Sequence, residues 1–134
     1  MGVEAGKANT TGDENTFIGR KAGMGVTTTN NQTAIGSFAL SAAVTGASNT
    51  AVGKSALAAN TSGAENTAVG ENSLANNNSA ASNTAVGRGS MFTNTTGASN
   101  TGIGFDALYA NTTATENTAV GRGALDSVTT ASFN

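Results

Sequence analysis

The sequence of 134 residues contains no cysteine, histidine, proline or tryptophan. Without cysteine there is no disulfide framework, thiolate metal site or cysteine nucleophile. Without histidine the commonest general base and metal ligand is missing. Only six residues are basic, and because they are scattered they argue against an electrostatic nucleic-acid-binding surface. No apolar run approaches the roughly 20 residues of a membrane span, so no membrane insertion is expected.

Large apolar residues are scarce as well. The combined share of Leu, Ile, Val and Phe is below the roughly 20% at which disorder is suspected. The net charge is only −2, however, so the high charge that accompanies disorder is missing. Thr, Asn, Ser and Gly together make up just over half of the chain, and Ala is the commonest single residue type. The order in which these small residues occur therefore decides whether the chain folds.

That order is a seventeen-residue repeat without insertion or deletion. The motif NTAVG, or its variant NTFIG, QTAIG or NTGIG, begins at Asn15, Gln32, Asn49, Asn66, Asn83, Asn100 and Asn117. We number each repeat from this residue. The pattern predicts a single repeat domain over residues 1–134, with a partial first coil over residues 1–14.

Four positions of the repeat are nearly invariant. Position 2 is always threonine: Thr16, Thr33, Thr50, Thr67, Thr84, Thr101, Thr118. Position 4 is always β-branched: Ile18, Ile35, Val52, Val69, Val86, Ile103, Val120. Position 5 is always glycine: Gly19, Gly36, Gly53, Gly70, Gly87, Gly104, Gly121. Position 9 is Gly23 in the first full copy and otherwise a large apolar residue: Leu40, Leu57, Leu74, Met91, Leu108, Leu125.

A unit of this length predicts one coil of a β-solenoid. Helical-hairpin repeats need roughly 30 or more residues, and fixed glycine with Asn and Thr is poor helix material. At about 3.3 Å per residue, one unit has room for two or three short strands around a thin core. We therefore expect an all-β, single-stranded parallel β-solenoid of about eight 17-residue coils, roughly 38 Å long at the usual strand spacing.

Alternation along the motif assigns its side chains to two faces. Because positions 2 and 4 are the strictest, we expect Thr and Val/Ile inside, and the Asn and Ala of positions 1 and 3 outside. Glycine at position 5 would form a corner with positive φ, and leucine at position 9 would fill the core from a second strand. The Asn column can form an amide ladder, and NTTGA at residues 94–98 is typical of a turn. Outward alanine either fits a tight coil or allows another rod to approach.

The repeats NTAVG-x-x-A-L-x-x-N-T-T-G-x-x, clearest at residues 49–63, 83–97 and 100–113, resemble those of bacteriophage and prophage tail-fibre proteins. They are also similar to the shorter head repeats of trimeric autotransporter adhesins. The resemblance implies parallel β-solenoids, three chains side by side as a homotrimer, and a place in a virion tail fibre or at a cell surface. It implies a stalk or fibre segment that supports attachment to a host.

The two ends of the sequence leave an alternative open. The chain begins at position 4 with Met1 and ends at position 1 with Asn134, without a sequence that resembles the polar cap of a repeat protein. It is then either a piece of a longer fibre or an open-ended subunit of a self-assembling extracellular filament, since uncapped β edges are templates for assembly.

Little in the sequence indicates catalysis, and we expect no enzyme activity, cofactor or metal. Glu14, Glu65 and Glu116 share position 17 and are best interpreted as a solvated face, because no second carboxylate column flanks a cleft. Asn-x-Ser/Thr occurs six times, and five of these sites fall at position 12, where turn chemistry explains them better than glycosylation.

Positions 6 and 10 vary in chemistry and are expected to face outward. They bring Phe92, Phe105 and Tyr109 into neighbouring coils, which predicts either a contact patch for a cell-surface glycan or protein receptor, or inter-chain packing of scattered apolar residues. Ice binding is a third hypothesis for the chain. It would require two exposed Thr columns two positions apart, whereas position 2 is paired with Val or Ile at position 4.

Overall fold

The computed structural model describes residues 2–134; Met1, with which the partial first coil begins, lies outside them. Each motif forms one short strand: β1 Thr16–Ile18, β2 Thr33–Ile35, β3 Thr50–Val52, β4 Thr67–Val69, β5 Thr84–Val86, β6 Thr101–Ile103, β7 Thr118–Val120. The seven strands form one sheet in chain order. The chain is thus an all-β solenoid of about six turns, and residues 2–134 hold no helix that could cross a membrane.

The strands pair in parallel, each with the strand one repeat later. Thr16 stands opposite Thr33 and Ile18 opposite Ile35, and the same offset of one repeat continues to the pairing of Thr101 with Thr118. Because the offset equals the sequence period, identical positions stack in columns. The parallel β-solenoid predicted from the repeat is confirmed.

The rest of each coil is irregular in conformation but regular in its hydrogen bonds to the next coil. The Leu57 amide donates to the Ser73 carbonyl at 3.1 Å, and the Thr61 amide donates to the Asn78 carbonyl at 2.9 Å. Each coil therefore has one strand, fewer than the two or three for which it has room, and the leucine of position 9 lies in a turn. The prediction that leucine enters from a second strand is wrong.

Left-handed backbone explains why no second strand forms. Leu57 and its equivalents have φ near +50°, and Ser55 at position 7 has φ of +57°. Such residues bend the chain, at a cost of about 1–2 kcal/mol each for a side chain other than glycine. The corner at position 5 is glycine for a steric reason as well: φ is +136° at Gly53, and an added Cβ would meet the Gly70 carbonyl carbon at 2.6 Å.

The assignment of the strand faces from the sequence is wrong. Ala51 and Ala68, at position 3, are fully buried, as are Asn49 and Asn66 at position 1. The threonines of position 2 and the Val or Ile residues of position 4 face outward. The invariance of positions 2 and 4 thus reflects a regular outer surface, whereas alanine is inside because a thin coil leaves no room there for a larger side chain.

Asparagine is inside because the coil satisfies its amide completely. Asn66 Nδ2 donates to the Ala80 carbonyl across the coil at 2.8 Å and to Oδ1 of Asn49 at 3.2 Å. The Asn49 Oδ1 also accepts the Asn66 backbone amide at 3.1 Å. A buried amide with all of these partners avoids the cost of an unpaired polar group. The amide ladder predicted for position 1 is present, but it runs through the core.

A second buried ladder stands at position 12. Asn77 Nδ2 donates to Asn60 Oδ1 at 3.1 Å and to the carbonyl of Ala80 at 3.0 Å. Asn94 and Asn111 repeat this arrangement one and two coils later. These are asparagines of the Asn-x-Ser/Thr triplets, and their burial and hydrogen bonds favour turn chemistry over glycosylation.

The first full coil departs from the pattern in two places at once. Phe17 occupies the inward position 3, where the other copies have Ala or Gly, and Gly23 replaces the leucine of position 9. A Cβ on Gly6 would meet Cδ2 of Phe17 at 2.6 Å, and one on Gly23 would lie even closer to the ring. The phenylalanine ring therefore fills the space that leucine fills elsewhere.

Candidate functional site

The outward side of the sheet is a surface that we call the Thr–Val face. It consists of the position 2 and position 4 residues of the seven strands: Thr16, Thr33, Thr50, Thr67, Thr84, Thr101, Thr118, Ile18, Ile35, Val52, Val69, Val86, Ile103, Val120. Parallel pairing places the threonines in one row and the β-branched apolar residues in another beside it. The face therefore repeats at the strand spacing of about 4.8 Å.

This face is apolar along one row and carries no charge. Ile18, Val69, Ile103 and Val120 are 49%, 36%, 39% and 68% exposed, respectively. Every residue of the face is Thr, Val or Ile, so none is ionisable. Ile35, Val52 and Val86 are only partly exposed, so the row is accessible to varying degrees along the sheet, and an accessible apolar row of this kind is a candidate contact surface.

The alanine column cannot serve as the contact surface that the sequence suggested. Ala34, Ala51, Ala68 and Ala85 are completely buried, and Ala119 is 2% exposed. Approach of another rod to these side chains is excluded by the coil itself. The surface available for side-by-side contact is the Thr–Val face.

The acidic residues do not assemble into a catalytic or metal-binding arrangement. Glu14, Glu65 and Glu116 are exposed, and within residues 2–134 no three His, Cys, Asp or Glu side chains lie together as a metal site would require. Glu71 lies between Lys54 and Arg88, with N–O distances of 3.3 and 3.8 Å.

At the first coil, a hydrogen bond from Lys7, together with its positive charge, lowers the pKa of the exposed carboxyl of Glu4. The Nζ–Oε1 distance of this pair is 3.0 Å. Lys21 lies near the same carboxyl, with an Nζ–Oε2 distance of 3.6 Å.

The structure brings two of the three predicted patch aromatics together. Phe92 and Tyr109, both at position 10, stack with ring centroids 5.4 Å apart and planes at 10°. Phe105, at position 6, lies instead between the guanidinium groups of Arg88 and Arg122, which are 5.4 and 5.6 Å from its centroid. The aromatic residues thus form two neighbouring groups, and their role as a contact patch stays a prediction.

Asp106 lies between these two groups and separates two hollows in the surface. One hollow, of about 240 Å³, is lined by Asn72, Arg88, Gly89, Phe92, Asp106 and Tyr109. The other, of about 350 Å³, is lined by Phe105, Asp106, Arg122, Gly123 and Asp126. We call the pair the Asp106 cleft. Sequence reasoning missed Asp106, although its two flanking equivalents at position 7 are both glycine, which was a visible signal.

Comparison with known proteins yields no relative: no family model, no curated protein and no solved structure matches this chain.

Proposed function

We propose that the chain is a stiff, non-enzymatic segment of a surface fibre, in which three copies pack side by side through their Thr–Val faces. The observation that carries this proposal is the outward, uncharged face that extends over all seven strands and leaves part of its Val and Ile row exposed. The fibre would stand on a virion tail or at a cell surface and support attachment to a host.

Stiffness follows from the direction of the backbone hydrogen bonds. The strands, the turn after the strand and the turn at position 13 all bond to the neighbouring coil, as in Thr50 N to Asn66 O at 2.8 Å and Thr61 N to Asn78 O at 2.9 Å. The bonds run along the rod axis on several sides, so bending requires several of them to stretch together. Each coil contacts only its neighbours, which is the architecture of a one-dimensional rod.

We infer a rod of about eight coils, although strands mark only seven of them. Before β1, the Gly6 amide donates to the Ala22 carbonyl at 2.9 Å, so residues 2–14 continue the stack. After β7, the Thr118 amide donates to the Asn134 carbonyl at 2.7 Å. Residues 2–14 therefore follow the path of a further coil, residues 121–133 complete the coil of β7, and Asn134 stacks on it as the first residue of the next repeat.

Other copies of the same chain are the partner that best fits the face. Its row spacing is the same in every copy, so ridges of Val and Ile on one rod can enter grooves on another over their whole length. Covering a half-exposed Val or Ile contributes about 1 kcal/mol, so a row of seven offers several kcal/mol per chain. A charged partner would gain nothing here, because the face has no ionisable group.

Sedimentation equilibrium over a range of protein concentrations tests the proposal, with Val69→Lys as the variant and Ala59→Lys as the control. Val69 lies in the middle of the face, whereas Ala59 is exposed in the turn. We expect a discrete trimer for the parent and Ala59→Lys, and monomers for Val69→Lys with an unchanged circular dichroism spectrum. A parent that is monomeric at all concentrations, or a Val69→Lys variant that is still trimeric, contradicts the proposal. Long end-to-end filaments would instead support the filament alternative.

Ice binding is the second candidate, because the threonine row is on the outside. The seven hydroxyls stand one per strand on a regular sheet surface, although the adjacent row is Val or Ile. The two candidates compete for the same surface, since a trimer would cover it. Thermal hysteresis in a monomeric parent that is lost in Thr67→Lys would favour ice binding, and its absence removes this candidate.

A further inference from the structure

The Asp106 cleft arises where the repeat changes at position 7. Three successive coils carry Gly89, Asp106 and Gly123 there, whereas the preceding coils carry Ser55 and Asn72. The missing side chains on both sides of Asp106 open the two hollows of about 240 and 350 Å³. A Cβ on Gly89 would collide with the Asp106 carboxylate. The absence of a side chain at Gly89 therefore leaves room for this carboxylate to pack against the preceding coil.

One wall of the cleft is formed by a pair of stacked aromatic rings. Phe92 and Tyr109 stack almost parallel, 5.4 Å apart, and Tyr109 remains 39% exposed. Ala58 and Ala75 hold the same position in earlier coils, so the fold itself does not need aromatic residues there. The parts of these rings that remain exposed are suited to the apolar face of a ligand.

Polar groups with free bonding capacity surround this wall. Over residues 2–134, the Asp106 carboxylate and the Tyr109 hydroxyl make no hydrogen bond or ion pair with the protein. Arg88 has one distant carboxylate neighbour, Glu71 at 3.8 Å. A carboxylate accepts several hydrogen bonds, and a guanidinium donates up to about five. The cleft therefore offers acceptors and donors within reach of one aromatic surface.

We propose that the Asp106 cleft binds a short uncharged glycan. A pyranose ring has one apolar face, which would pack on Tyr109 and Phe92, and hydroxyl groups that both donate and accept, which would bond to Asp106 and Arg88. The two adjoining hollows accommodate consecutive sugar units, with Asp106 between them. The cleft lies at positions 6, 7 and 10, outside the Thr–Val face, so this inference does not depend on the trimer.

Charge decides between a neutral and an anionic ligand. The carboxylates of Asp106 and Asp126 line the hollows together with the guanidinium groups of Arg88 and Arg122, and both guanidinium groups are drawn to the ring of Phe105. The formal charges of these four residues cancel, so the cleft has no net positive charge with which to hold a sialic acid, sulfate or phosphate group. Hydroxyl-rich, neutral ligands are favoured by such a surface.

An array of neutral oligosaccharides, together with sialylated and sulfated counterparts, tests this inference on the full chain. Two variants disable the cleft: Tyr109→Ala restores the residue of Ala58, and Gly89→Asn restores the residue of Asn72 and fills the first hollow. Both side chains already occur at equivalent positions, so both variants are expected to fold. Ser55→Asn makes a similar change three coils away from Asp106 and serves as the control.

We expect the parent and Ser55→Asn to bind a subset of neutral oligosaccharides. Each cleft variant should lose about tenfold in affinity, Tyr109→Ala because a stacked aromatic contact is lost and Gly89→Asn because its side chain occupies the first hollow. Circular dichroism melting curves of all four chains show whether the variants fold. Absence of neutral-glycan binding, binding restricted to anionic glycans, or full binding by folded Tyr109→Ala and Gly89→Asn overturns the inference. Capture of a protein through the cleft, without glycan binding, overturns it as well.

Discussion

Phe17 and Gly23 offer a sharp test of how the core of this solenoid is packed. Phe17 is partly buried and belongs to the inward column that otherwise holds small residues. Its ring occupies the space beside Gly23, where the other coils have leucine or methionine. Gly23 has φ of +58° and Leu40, one coil later, has φ of +49°, so the backbone at position 23 already has the conformation that leucine adopts.

The two single changes should each destabilise the fold. Phe17→Ala leaves a cavity, and because the ring is only partly buried we expect about 2–3 kcal/mol, at the low end of the range for Phe→Ala. Gly23→Leu forces a side chain into the ring and should cost about 1–3 kcal/mol through overpacking. The double variant restores the consensus of Ala at position 3 and Leu at position 9. We expect it to lie within about 1 kcal/mol of the parent, the remainder being the void left beside Gly6.

Urea unfolding followed by circular dichroism measures this double-mutant cycle. The coupling between Phe17 and Gly23 should be about 2–6 kcal/mol, the sum of the two single costs less the small cost of the double variant, because the second change removes the damage done by the first. Phe17→Ala combined with Leu74→Ala is the control cycle, since these residues lie more than three coils apart and their effects should add. Additivity of Phe17→Ala and Gly23→Leu within about 0.5 kcal/mol would refute the packing of the Phe17 ring against Gly23.

Three further substitutions test the core, all measured as the urea midpoint at constant m-value. Val128→Asn should stabilise the fold by about 1 kcal/mol, because the new side-chain amide would donate to the buried Oδ1 of Asn111, which has no partner among residues 2–134. An unchanged or lower midpoint contradicts the asparagine ladder at position 12. Ala68→Val should destabilise by about 1–3 kcal/mol because alanine points inward, whereas an outward alanine would accept valine freely. Leu74→Ala should cost about 2–5 kcal/mol, since Leu74 is fully buried; a loss below that range would mean that the core collapses around it.

The repeat predicts much of the fold because register in a solenoid is local information. A constant period without a gap fixes which residues pair, and Thr16 opposite Thr33 follows from counting alone. The invariant glycine at position 5 also predicts a corner with positive φ in close contact with the next coil, since both features exclude a side chain. The candidate site could be predicted only in part. The shared repeat position of Phe92 and Tyr109 predicts that they are neighbours, whereas the hollows around Asp106 depend on how the turns of three successive coils pack.

A sequence signal for the correct faces did exist. Position 3 and position 9 change together in one coil, where Phe17 appears with Gly23. A large residue gained at one position and lost at another indicates that the two share a space. Because position 9 is the leucine of the core, position 3 must then face the core as well.

The sequence by itself determined the period, the parallel pairing, the corner glycine and the absence of long apolar segments. Only the tertiary structure decided which side of the strand is inside. Alternation divides the side chains between two faces without saying which face is buried, and positions 1 to 4 of the motif all vary little from repeat to repeat. The deciding contact is the amide of Asn66 with the carbonyl of Ala80, which lies across the coil. That contact exists only once the chain has turned back on itself, and it leaves Thr and Val/Ile on the outer surface of the sheet.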